Sequence, residues 1–272
     1  MGTDLITQGV KLFTAQKYTE AVKKLKEALD VTDDPQQQSN TQYWLGRCYL
    51  EQVLQIGNTA LFDTAREHFQ KRLVCAEQLS GDKGIEQQAN AQSFLGYCYF
   101  EQALQTGNTA LFDKARKHLQ EQLIHAEKLN GEKGIKQQIY AQSGFGRCYF
   151  EQALQTDNAI LFDKAYKHFQ AQLTQAEQLE KLNSDKGIEE QANAQVWQGR
   201  CYLKQAKQNK GNIEQSKDYL SEAEEHFGEA SKLVKKLNDE SLKKQRIEKL
   251  ARDFRELAFA KEDYESYFKS KQ

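Results

Sequence analysis

TQYWLGRCYLEQVLQIGNTALFDTAREHFQKRLVCAEQLSGDKGIEQQAN (residues 41–90) is followed at once by AQSFLGYCYFEQALQTGNTALFDKARKHLQEQLIHAEKLNGEKGIKQQIY (91–140), and 30 of the 50 aligned positions are identical. A third copy, residues 141–193, is three residues longer, and a fourth opens at AQVWQGRCYLKQ before diverging. A period of this length marks a stacked array in which each unit buries its apolar face against its neighbours. Within one copy, Leu45, Cys48, Tyr49 and Gln52 lie at three- and four-residue steps, and so do Leu61, Phe62, Ala65, Phe69, Leu73, Ala76 and Leu79. Both runs have the spacing of an amphipathic helix face. Gly57 and Asn58 read as a turn between them. After the second run, Gly81 suits a helix C-cap and Asp82 an N-terminal cap. The unit is helix, turn, helix, loop.

Length alone, 272 residues, suggests one or two globular domains. The repeat overrides that expectation, because a solenoid grows by addition and has no single central core. Proline occurs once, at Pro35, while the good helix formers Ala, Leu, Gln, Glu and Lys dominate. An almost wholly helical chain follows. The 38 basic and 39 acidic residues leave a net charge of −1 with no block of one sign. That argues against a general nucleic-acid binder, whose affinity rests on clustered Lys and Arg. No apolar run is long enough to span a bilayer, and the N-terminus lacks a signal-peptide layout. Ile6 stands where a myristoylation signal wants Ser or Thr. A cytoplasmic, reduced setting is expected.

The recurring elements resemble the tetratricopeptide repeat (TPR) family, whose first helix carries W-x2-L-G-x2-Y and whose second carries A-x3-F-x2-A. The first-helix matches are Leu45-Gly46-x2-Tyr49, Leu95-Gly96-x2-Tyr99, Phe145-Gly146-x2-Tyr149 and Gln198-Gly199-x2-Tyr202. The second helices supply Ala65-x3-Phe69, Ala115-x3-Leu119, Ala165-x3-Phe169 and Ala223-x3-Phe227-x2-Ala230, and Gly9-x2-Leu12 with Ala21-x3-Leu25-x2-Ala28 makes an N-terminal unit. The resemblance implies an all-α TPR α-solenoid: a right-handed superhelix of about five helix hairpins over residues 1–238, with repeats at about 3–38, 39–88, 89–138, 139–191 and 192–238. Residues 239–272 then form a C-terminal capping helix. Its expected apolar stripe is Leu242, Ile247, Leu250, Phe254, Leu257 and Ala258; Tyr264, Tyr267 and Phe268 continue past it, either packing on the cap or forming a docking patch.

Three departures from the family pattern stand out. The middle copies place Gly and Ala nineteen apart instead of twelve, lengthening the hairpin by about two turns. Arg72, Gln122 and Gln172 occupy the final alanine slot. The long second helix resembles the extended repeats of spindle-orientation adaptors and kinesin light chains. Those carry groove-wall asparagines where this chain has Trp44, Phe94, Gly144 and Trp197, so their peptide rule does not transfer.

Cys48, Cys98, Cys148 and Cys201 share one repeat slot, and the short C-x2-C spacing of a metal site is missing, so buried packing is expected of them. His68, His118, His168 and His226 also recur once per repeat. Equivalent helices lie about 10 Å or more apart, too far for shared metal–nitrogen bonds near 2 Å. Nucleophile, zincin and phosphate-loop motifs are missing. Neither catalysis nor a cofactor or metal is therefore expected.

In TPR arrays the first helices line the concave face. The resemblance thus points to Asn40, Tyr43, Arg47 and Glu51; Asn90, Ser93, Tyr97 and Glu101; Tyr140, Ser143, Arg147 and Glu151; and Asn193, Val196, Arg200 and Lys204. Amides, tyrosines and arginines suit an extended peptide. The plainer account is that Arg47–Glu51 and Arg147–Glu151 are i,i+4 pairs that merely support a helix. The expectation is a non-catalytic adaptor, monomeric, gripping a peptide or helix of another protein. The alternative is a regulatory or sensor subunit that controls an associated effector enzyme such as a protease.

Overall fold

A computed structural model describes residues 2–209 and 211–269, with side chains up to Ser266. Tyr267 and Phe268 thus lie outside the described side chains. Among the described residues the chain is an uninterrupted series of eleven helices with no strand: α1 (Gly2–Thr14), α2 (Tyr18–Leu29), α3 (Pro35–Ile56), α4 (Leu61–Glu77), α5 (Gly81–Thr106), α6 (Ala110–Ala126), α7 (Gly131–Thr156), α8 (Ile160–Glu180), α9 (Ser184–Gln208), α10 (Ile213–Lys235) and α11 (Glu240–Lys269). They make five successive helix pairs and a final single helix.

Local chemistry sets the helix ends. Asp34 caps α3 by accepting from the backbone N–H of Gln36 and Gln37, with Pro35 at the first helical position. The hairpin turns use a left-handed residue after the first helix: Gly57 at φ +70° and Gly107 at +68°, then Asp157 at +51° in the third copy. The following asparagine starts the second helix, as Asn58, Asn108 and Asn158 accept from the N–H of Ala60, Ala110 and Ile160 at 3.1–3.2 Å.

The family glycine is explained by close packing of the two helices in a pair. A Cβ built on Gly46, Gly146 or Gly199 would lie 2.5–2.7 Å from the ring of Phe69, Phe169 or Phe227. The missing side chain is what lets that ring seat, and all three rings are fully buried. Burying each ring contributes about 1.5–3 kcal/mol. The second glycine of the GDKG and GEKG segments has a different task. At Gly84 and Gly134 a Cβ would collide with the carbonyl oxygen of Leu79 or Leu129, so the next first helix can start tight against the end of the preceding one. These first helices, 26 residues in α5 and α7, are longer than α6 and α8 at 17 and 21, the reverse of the long second helix expected.

The chain divides into two compact units, residues 1–137 and 138–272, with the boundary inside α7. In the first, α1–α3 close on Ala21, Leu25, Leu45 and Cys48, and α3–α5 close on Leu50, Phe62, Phe69, Leu95 and Cys98. In the second, α7–α9 close on Phe150, Phe162, Phe169 and Cys201, and α9–α11 on Leu203, Leu220, Phe227, Leu250 and Leu257.

The cap stripe differs from expectation. Ile247 is 49% exposed and Ala258 is exposed, whereas Asp253, Ala260 and Tyr264 are buried. The buried face runs 250, 253, 257, 260, 264, the alternating three- and four-residue steps of a straight helix. Its charged member was hidden from a hydrophobic-stripe search. Tyr264 packs on the cap, in the cluster with Leu220 and Phe227.

Candidate functional site

The first-helix positions named from the family pattern are all half-buried or exposed, and three of them, Tyr43, Tyr97 and Val196, pack against the edge of a core cluster. In the first unit Arg47 of α3 is wedged among rings, its guanidinium 5.1 Å from the centre of Phe13, 5.8 Å from Tyr43 and 5.6 Å from Phe94. It donates to Tyr43 Oη (3.0 Å) and to Glu51 (3.2 Å). The i,i+4 pair therefore exists, inside an aromatic setting. Asn40 Oδ1 accepts from Gln36, and Asn90 Oδ1 from Gln137. Tyr97 of α5 is half-buried.

Arg72 of α4 is a residue whose role the repeat pattern concealed. It fills an alanine slot, is 6% exposed, and lies 4.4 Å over the Tyr43 ring. Burial pulls its guanidinium down to about 10. Gln122 and Gln172 in the same slot are also buried, and they donate to Gln137 Oε1 (2.9 Å) and Glu190 (3.3 Å).

In the second unit five of the named residues come together. Ser143 and Arg147 of α7, with Asn193, Val196 and Arg200 of α9, line one cavity of about 380 Å³, to which α8, α10 and α11 also contribute. Tyr140 on α7 is 41% exposed and is not part of that lining. Arg200 lies 4.7 Å over the Trp197 ring and donates twice to Asp253 of α11, Nε to Oδ1 at 2.7 Å and Nη2 to Oδ2 at 3.1 Å. Lys204 and Lys207 donate to Glu256 of α11 at 2.6 and 2.8 Å. Burial alone would raise the Glu256 carboxyl, but the two lysines outweigh it and hold the group at about 2. Arg246 of α11 reaches back to Glu189 of α9. The capping helix is thus bound to the face of α9 by paired charges as well as by its apolar stripe.

The recurring cysteines and histidines are structural. Cys48, Cys98, Cys148 and Cys201 are buried, and burial pushes the thiols of Cys48 and Cys98 up to about 12 and that of Cys201 higher still. Each recurring histidine stacks on the tyrosine of its own repeat, 5.3–5.6 Å between ring centres, as His68 does on Tyr49 and His118 on Tyr99. Its Nδ1 lies 2.6–2.8 Å from the side-chain oxygen of Gln42, Gln92, Gln142 or Gln195. Those glutamines occupy a constant slot, so the partnership was visible in the repeat, but its geometry was not. Among the described residues no group of three His, Cys, Asp or Glu converges as metal ligands, and no helix is long and apolar enough to cross a membrane.

No family model matches the chain, and no curated protein does. Among solved structures, the chain is similar to TTC0263, a thermophilic TPR protein of Thermus thermophilus, at 17% identity over 92% of this chain and 100% of that one, TM-score 0.40. It is also similar to the S. pombe nuclear import adaptor Nro1, at 8% identity over 100% of each chain, TM-score 0.33. The TPR2AB-domain of yeast Sti1, from a pHSP90 complex, is 12% identical over 85% of this chain and 98% of that one, TM-score 0.26. These scores are low, and the assignment stands on the chain's own geometry: repeated helix pairs in which a first-helix glycine seats the aromatic or leucine side chain of the second. The chain is a TPR-like helical repeat protein.

Proposed function

We propose that this chain is a non-catalytic interaction module, a cytoplasmic adaptor, which holds a peptide or helix of another protein against its first-helix faces. One observation carries the reading: the face of α9 already accepts a helix in cis. Arg200, Lys204 and Lys207 engage Asp253 and Glu256 of α11, and Arg200 and Lys204 are positions the family pattern assigns to ligand contact. The Arg200 slot holds Tyr97 on α5 and Arg147 on α7, and the Asn193 slot holds Tyr140 on α7, rigid aromatic area and a planar cation, while the Lys204 slot holds Glu101 and Glu151.

Selection of displayed random peptides on the whole chain tests this, followed by fluorescence anisotropy with a selected peptide. Tyr140→Ala and Arg147→Ala, both on α7, are expected to weaken binding about tenfold or more, equal to 1.4 kcal/mol. Glu121→Ala, on the exposed side of α6, should leave it unchanged. Peptides that bind equally well to the Tyr140 and Arg147 variants, or a selection that yields none, would overturn the reading.

A further inference from the structure

The cavity between α7, α9 and α11 has an unbalanced lining. Arg147, Arg200, Arg246 and Lys249 bring four positive charges to it, and Glu190 and Asp253 bring two negative ones, although Arg200 is itself paired with Asp253 and Arg246 with Glu189 just outside the lining. Both carboxylates are already committed, Asp253 to Arg200 and Glu190 to Lys186 at 2.8 Å. Lys249 is exposed at the rim, and the Arg246 Nε–H inside has no hydrogen-bond acceptor among the described residues. Gln172 is 1% exposed; its amide N–H₂ donates to Glu190, while its Oε1 lacks a donor. A buried acceptor without a donor costs about 1–3 kcal/mol, so a ligand that supplies an N–H there gains on binding. The walls therefore ask for an anionic oxygen with an N–H group close by. Nearby, the molecule itself shows which anion suits this surface: α9 takes two carboxylates from α11, one on a bidentate arginine and one on a lysine pair.

Resting on the interaction-module reading above, we infer that this cavity receives the acidic side chain of the partner peptide, with Lys249 and Arg246 of the terminal helix reading its charge. The carboxylate meets the Arg246 Nε–H and the Lys249 ammonium, and a backbone N–H of the same peptide donates to Gln172 Oε1. The terminal helix is then one wall of the binding site as well as a cap. Charge complementarity of this kind sets partner choice and association rate.

The test uses the same displayed peptides on the whole chain. Selected sequences are expected to fix an Asp or Glu at one position. With such a peptide, Lys249→Glu should weaken binding at least about tenfold, while Lys244→Glu, the same charge change on the same helix away from the cavity, should not. Replacing the fixed acid by Lys should restore binding to the Lys249→Glu variant, an outcome that a merely structural effect of the substitution does not produce. Peptides that show no acidic preference yet lose affinity with Tyr140→Ala would sink this inference and leave the groove reading standing. An acidic preference indifferent to Lys249→Glu would equally sink it. A selection that yields no peptide overturns both.

Discussion

The glycine at the helix crossing shows how much one hydrogen can decide. Gly146 and Gly96 occupy the same slot, but their partners differ: Phe169 faces the first, and Leu119 the second. A Cβ at Gly146 would sit 2.5 Å from the phenylalanine ring, whereas one at Gly96 would meet Leu119 at 3.4 Å and the Ala115 carbonyl at 3.2 Å. Gly146→Ala therefore forces the ring or the helix aside, at about 1–3 kcal/mol for overpacking. Gly96→Ala meets less resistance and gains up to about 1 kcal/mol of helix propensity, so it should stay within about 1 kcal/mol of the parent. Urea midpoints of the two variants check this, and equal losses would show that the ring is not what the glycine accommodates. The slot itself was plain in the sequence from its recurrence at 46, 96, 146 and 199. What the pattern could not show was polar pairing across helices. Arg72 over Tyr43, and each histidine on its glutamine, join residues distant along the chain whose types say nothing of mutual orientation.

At the scale of elements, the terminal helix is where charge and packing meet. A stripe search finds Leu250 and Leu257 because they are apolar, and misses Asp253 between them because it is not. Asp253 is buried only because Arg200 meets it with two hydrogen bonds, and a buried carboxylate without such a partner is strongly disfavoured. Arg200 thus has a structural duty that Arg47, with its local Glu51, does not share. Arg200→Ala is expected to cost about 2 kcal/mol, the lower part of the range for an orphaned buried charge, because solvent reaches the guanidinium. Adding Asp253→Ala should recover part of that loss, since no unpaired carboxylate then remains. Thermal melts of the single and double variants decide it. A double variant no more stable than Arg200→Ala alone would mean that the pair does not hold α11.

Across the whole molecule, repetition turns a local device into a distributed one. An array couples each pair of helices mainly to its neighbours, so its stability is close to a sum over repeats. The fifty-residue period made this organisation legible, because identical slots must play identical packing roles. The proposed partner face was legible only as a set of positions, since five of them line a cavity completed by α11, whose docking the period does not encode. The same additivity governs the response to acid. His68, His118 and His226 each lie against a tyrosine ring and a glutamine. Burial lowers all three from 6.5, His68 to about 4. Lys71, Glu67 and Lys26 are the charges facing His68, and the lysines push the same way as burial. A base held below its ordinary value leaves stability complete above pH 6.5 and lost as pH falls from there toward 4, because the unfolded chain takes up the proton first. His68 should therefore account for about 1 kcal/mol of the stability lost between pH 7 and pH 5, after allowance for solvent screening. His68→Gln removes the titrating group and the ring stack together. Its urea midpoint is expected to be lower than the parent's at pH 7, yet to fall less between pH 7 and pH 5. A variant whose midpoint drops as far as the parent's over that interval would show that the stacked imidazole takes no part in the acid response, and would move the cause to carboxylates other than Glu256, whose protonation near pH 2 lies well below the interval.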